Sequence, residues 1–142
     1  MEEPIVDRAA LNRLRAEVGP ALPKLLGYFR EDGARSVAAV EDAIRLHSAA
    51  RLVIPAHTLK GESLQFGARP LAALAEQIEL TARDLVETQG VPDALSGPVR
   101  QLGPLFTRTL EALTRELATA PGAAAAPRPA FGRRTFGTAI RQ

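Results

Sequence analysis

The chain has 142 residues, 46% of them hydrophobic and 24% charged, a balance that suits a soluble globular protein with length for one ordinary core. It has no cysteine, which excludes disulfides and thiolate metal sites, and its two histidines, His47 and His57, are too few for a zinc site without several carboxylates, so no bound metal is expected. The net charge of +2 is unevenly placed: Arg128, Arg133, Arg134 and Arg141 lie beyond residue 120, and the other 14 basic and 16 acidic residues leave a body charge of −2, without the basic stripe of a nucleic-acid binder.

No apolar run is long enough to cross a bilayer, and the opening MEEPIVDRAA lacks the basic-then-apolar layout of a secretion signal, so a cytoplasmic protein is expected. Asp7 reads as an N-cap, followed by Leu11, Leu14 and Val18 at helical spacing until Gly19-Pro20 breaks the run. A second apolar set, Leu22, Leu25, Leu26 and Phe29, is expected to end at Asp32-Gly33. Val37, Val40, Ala43 (or Ile44) and His47 mark a third segment, and a fourth begins near Ser48 or Ala49 and runs to Phe66-Gly67. The fifth opens at Pro70, a residue favoured in the first helical turn, and should bury Leu71, Leu74, Ala75, Ile78, Ala82 and Leu85 before Gly90. The sixth carries Val99, Leu102, Phe106, Leu110, Leu113 and Leu117, with a bend expected at Gly103-Pro104.

No segment alternates as a strand does. Short breaks between long amphipathic helices predict an all-α protein: an antiparallel four-helix bundle, with helices near 33–48, 49–66, 69–89 and 96–119, and two short N-terminal helices packed across an end or side. The bundle domain is placed at 1–119. Residues 120–142, rich in Ala, Gly, Pro and Arg, read as a C-terminal tail or tether.

On a helical wheel of roughly 100° per residue, Leu52, Ala56, Leu59, Ser63 and Phe66 fall along one line and predict the buried face of the fourth segment. His57 falls about 140° from that line, Gly61 about 180° and Lys60 about 80°. The imidazole is therefore expected at the surface, with a cation one turn away and a clear space where a side chain would stand. An imidazole is largely uncharged near neutral pH, so a ring nitrogen can attack phosphorus. Lys60, expected to be exposed, could neutralise phosphoryl oxygens, and a mid-helix glycine at 61, costing about 1 kcal/mol relative to alanine, fits close approach of a partner. Val53 and Leu64 flank the same face as an apolar docking rim. Pro55 should kink the helix two residues before His57. His47, at a predicted helix C-terminus, is expected to cap carbonyls.

The string AHTLKGESLQFGA, Ala56 to Ala68, resembles the signature of histidine-containing phosphotransfer (HPt) domains: a phosphorylatable histidine, Leu-Lys-Gly, a small residue two further on, and Gly-Ala closing the helix. The likeness extends over roughly residues 5–117, through LRAEVGPALPKLLGYFREDGARSVAAVEDAI and LAALAEQIE. The resemblance implies a four-helix bundle that relays a phosphoryl group between aspartates of response-regulator receiver domains, or from a hybrid histidine kinase, with no kinase or phosphatase activity of its own. It implies His57 as phosphoacceptor, Lys60 as the cation beside it, Gly61 as the cleared surface, and Glu79 at a family position, Glu or Gln, whose side chain orients the imidazole. It implies no cofactor on this chain, the magnesium belonging to the receiver. Glu62 and Leu64 depart from the smaller residues common in relatives. A monomer without nucleic-acid partners is expected. A phosphoacceptor module of a chemotaxis-type kinase would require the chain to be a fragment. A pure receiver-sequestering bundle would not need to retain His57, Lys60 and Gly61. An autonomous kinase or hydrolase lacks a nucleotide-cradling loop or paired catalytic acids.

Overall fold

The computed structural model describes residues 3–118, all of whose regular elements are helical. The tail reading for 120–142 lies outside the described residues. Five α-helices run in order: α1 Arg8–Val18, α2 Leu22–Arg45, α3 Ala50–Gln65, α4 Arg69–Thr88 and α5 Ser96–Ala118, with 3-10 turns at Gly19–Ala21 and Pro92–Leu95. Of the described residues, those up to Ala112 form a first compact unit, and the last residues of α5, from Leu113, fall outside it. The first unit holds the bundle, built from α2, α3, α4 and the Ser96–Ala112 part of α5.

The Asp7 carboxylate caps α1, accepting hydrogen bonds from the backbone N–H groups of Ala9 (3.0 Å) and Ala10 (3.3 Å). Gly19, at φ +56, ends that helix, and the Pro20 turn leads directly into α2, which carries Pro23 in its first turn. The expected stop at Asp32-Gly33 does not occur. α2 is continuous from Leu22 to Arg45, so one 24-residue helix replaces the anticipated short second helix and the helix near 33–48, leaving α1 as the one additional N-terminal α-helix among the described residues. The glycine has a packing role instead. A Cβ at Gly33 would stand 2.5 Å from Phe106 Cε1, so its absence makes room for a ring from α5.

That ring belongs to an aromatic cluster joining three helices. Phe29 of α2 stacks on Phe66, at the end of α3, with centroids 5.0 Å apart, and meets Phe106 edge-on at 5.6 Å. Val40, Leu52, Leu59, Leu71, Ile78 and Leu102 are completely buried as well, each large aliphatic side chain worth roughly 1.5–3 kcal/mol of burial. The expected core face of α3 holds in full: Leu52, Ala56, Leu59, Ser63 and Phe66 are all buried. On α4, Leu71, Ala75, Ile78 and Ala82 are buried, whereas Leu74 and Leu85 are only half-buried.

The segments around α3 fix where its ends lie. Ser48 Oγ accepts from the Arg51 N–H (3.2 Å) at the start. At the end, Gly67 takes φ +75, and the N–H of Ala68 reaches back to the Ser63 carbonyl (2.9 Å). Gly67 also has no room for a side chain, because the Asp7 carbonyl would lie 2.8 Å from its Cβ; the Asp7 N–H donates to the Gly67 carbonyl at 2.8 Å. The start of α1 is thereby tied to the α3–α4 corner, and Arg69 reinforces the tie by pairing with Glu3 and Asp7. Pro55 and Pro104 both lie inside continuous helices. Pro55 has no N–H to donate to the Arg51 carbonyl.

Candidate functional site

Buried alanines on both helices, Ala56 on α3 and Ala72, Ala75 and Ala82 on α4, let the two backbones approach closely. A side chain on the flank of α4 can then reach across to the exposed face of α3. Glu79 is that side chain: its carboxylate is 4% exposed, while the His57 ring above it is 60% exposed. His57 Nδ1 lies 3.0 Å from Glu79 Oε2.

A buried carboxylate is costly unless it is paired. Glu79 is met from several sides. Arg83, one turn along α4, places Nε at 3.0 Å and Nη2 at 2.9 Å from Oε2, the same oxygen that faces His57. Lys60 Nζ forms an ion pair with Oε1 at 3.1 Å and stands 4.0 Å from Glu76. Burial pushes the Glu79 carboxyl up, but the hydrogen bonds of Arg83 and His57, together with the positive charge of Lys60, outweigh it and hold the group below its ordinary value. Ionised, the carboxylate can only accept, so the proton between it and the imidazole sits on Nδ1. In the neutral ring the lone pair then belongs to Nε2.

The expected site residues are thus partly assembled. His57, Lys60 and Glu79 come together. Gly61 faces open space, with nothing within 4 Å of where a Cβ would stand. Lys60 differs from its expected exposure. Its side chain is 22% exposed and paired with Glu79, because the two carboxylates of α4 draw it into the α3–α4 seam. Val53 and Leu64 do not share one patch. Half-buried Val53 lines a groove of about 540 Å³ with Ala50, Ile54, Arg83, Val86 and Glu87, whereas exposed Leu64 borders a separate hollow with Lys60, Arg69 and Glu76. Glu62 lines a third hollow with Asp32, Arg35 and Ser36 of α2, so it leaves the space at Gly61 clear. Burial and the nearby Asp32 push its carboxyl up, against the pull of Arg35.

Sequence reasoning missed Arg83 and the exposed Ile54 beside the site. The Glu79/Arg83 spacing of four residues was a usable signal for the first, being a standard helix ion-pair interval. His47 does not play its expected part. It takes φ +52 just past α2, and its ring faces Asp93 at 3.3 Å rather than the helix carbonyls. Among the described residues no three His, Cys, Asp or Glu side chains gather as metal ligands, and no helix is long and apolar enough to cross a membrane.

This is an all-helical domain with an exposed histidine mounted on a buried carboxylate. The family model of the Hpt domain matches residues 24–120, and the chain belongs to that family; its role is histidine phosphotransfer in a two-component phosphorelay. Among solved structures, histidine-containing phosphotransfer protein B (HptB) from Pseudomonas aeruginosa PAO1 is similar in fold, with a TM-score of 0.71 and 23% identity, covering 84% of this chain and 99% of that chain. No curated protein matched the sequence.

Proposed function

We propose that Nε2 of His57 is the phosphoacceptor, taking a phosphoryl group from an aspartyl phosphate of one receiver domain and giving it to the aspartate of another. The observation that carries this reading is the pairing of His57 Nδ1 with buried Glu79, which leaves Nε2 as the nitrogen available to a partner. The Nε2 lone pair attacks phosphorus, the P–O bond to aspartate breaks, and the aspartate departs as a carboxylate. The phosphorylated ring carries a positive charge and keeps its proton on Nδ1, where the Glu79 carboxylate offsets that charge. Lys60, three residues on, supplies positive charge to phosphoryl oxygens. In the return step a receiver aspartate attacks the same phosphorus.

Gly61 lets the partner approach, and Val53, Ile54 and Leu64 offer apolar contact on either side. In this reading the protein is a cytoplasmic, monomeric phosphocarrier without kinase or phosphatase activity of its own. It binds receiver domains or a hybrid kinase rather than nucleic acid. Magnesium belongs to the receiver, and no cofactor is assigned to this chain. The test is to incubate the protein with a panel of phosphorylated receivers. Transfer of acid-labile label to the wild type but not to His57→Gln supports the reading. Binding without transfer would favour a sequestering protein instead.

A further inference from the structure

We propose that Arg83 is a positioning residue, which keeps Glu79 ionised and so holds His57 in the tautomer whose Nε2 lone pair is free. The inference rests on His57 being the phosphoacceptor and concerns how its reactive form is maintained. Glu79 Oε2 is shared: Arg83 donates to it through Nε and Nη2 at 3.0 and 2.9 Å, and His57 Nδ1 approaches it at 3.0 Å. Among the described residues, the charged groups meeting this carboxylate are Lys60 from α3 and Arg83 from α4, with Glu76 4.0 Å from Lys60. Asp93, in the 3-10 turn beside α4, pairs with His47 instead.

The consequence follows from donor and acceptor roles. An ionised carboxylate can only accept, so it selects the Nδ1–H ring. A protonated carboxyl can instead donate its O–H to Nδ1. The ring proton then sits on Nε2, and the nucleophilic lone pair is lost from the exposed side. At 4% exposure, water does little to keep Glu79 charged, and the fixed cations must do it. Lys60 serves Oε1, whereas Arg83 serves the very oxygen that touches the imidazole. Loss of Arg83 raises the Glu79 carboxyl, so protonation begins at higher pH and the acidic limb of phosphoacceptance moves upward in pH.

The test uses the full chain labelled with 15N, and long-range proton–nitrogen correlation of the His57 ring across pH, with His47 as an internal control. Phosphoacceptance is measured in parallel from phosphoramidate, a small donor that needs no docking surface. Wild type is expected to show the Nδ1–H ring. Arg83→Gln should shift weight towards Nε2–H, move the acidic limb to higher pH and slow phosphoramidate-dependent labelling by roughly tenfold, with Arg83→Lys recovering part of the loss. In a Glu79→Gln background, which cannot ionise, Arg83→Gln should change the tautomer no further. An unchanged tautomer and phosphoramidate rate in Arg83→Gln overturn the proposal, even if transfer from a receiver falls, since that pattern describes a docking residue. An equal effect in the Glu79→Gln background also overturns it. Circular dichroism checks the fold, and Arg83→Met, which keeps the aliphatic stem, replaces Arg83→Gln if helicity is lost. Absence of label on His57 in the wild type defeats the phosphoacceptor reading itself, a result separate from the tautomer measurement.

Discussion

His57 and Glu79, 22 positions apart in sequence, meet at 3.0 Å with opposite exposures: the ring stands out from α3 while the carboxylate lies beneath it in the α3–α4 seam. The arrangement fixes one ring nitrogen and presents the other. It also places a buried charge where stability and phosphotransfer chemistry depend on the same group.

The first prediction concerns acid. Because the folded Glu79 carboxyl lies below its ordinary value, its ionised form adds stability that is fully present above that ordinary value. That contribution is lost as pH falls through the folded value. The melting-temperature advantage of wild type over Glu79→Gln should therefore shrink as pH is lowered from 7 towards 3. A gap that stays constant with pH would show that Glu79 ionisation is not coupled to folding.

Lys60→Ala should affect both folding and transfer. Its ammonium is largely withdrawn from solvent and paired with Glu79, so its removal leaves a buried carboxylate with one fewer cation. A stability loss of about 1 kcal/mol is expected, together with slower phosphoacceptance. Denaturant melts and labelling from phosphoramidate measure the two separately. Unchanged values in both would remove Lys60 from the site.

Two glycines should respond in opposite directions. Gly61 faces open space, so Gly61→Ala should stabilise the protein by about 0.5–1 kcal/mol through better helix propensity and a stiffer unfolded chain. Gly61→Gln should keep its melting temperature and accept phosphate from phosphoramidate normally, yet slowly from a receiver. Destabilisation of Gly61→Gln, or normal transfer from the receiver, would contradict the cleared-surface role.

Gly33 occupies the opposite situation. A methyl group there meets the Phe106 ring, so Gly33→Ala should cost about 1–3 kcal/mol despite its better helix propensity. Adding Phe106→Leu should recover part of that loss relative to Phe106→Leu alone, as a thermal double-mutant cycle would reveal. Full additivity would mean the ring is not what excludes the methyl group.

These two glycines also show what was legible in the sequence. The buried line of α3 and the exposure of His57 and Gly61 follow from the 3.6-residue period alone, and the structure places them accordingly. Gly33 was misread as a stop because its reason for being small is Phe106, 73 positions away, which no local pattern reveals. Lys60 was expected at the surface because a wheel gives the direction of a side chain but not its reach. Its long stem bends to Glu79 and Glu76 on another helix. Arg83 escaped notice although its interval from Glu79 was readable, because the interval matters only once Glu79 is known to be buried.

The central claim, that Nε2 of His57 carries the phosphoryl group, is tested most directly by finding the phosphorus–nitrogen bond. The 15N-labelled protein is phosphorylated by a receiver and examined for 31P–15N coupling. The account predicts coupling to Nε2 of His57 alone, in a product labile to acid and absent from His57→Gln. Coupling to Nδ1, or acid-stable phosphate on another residue, would contradict it.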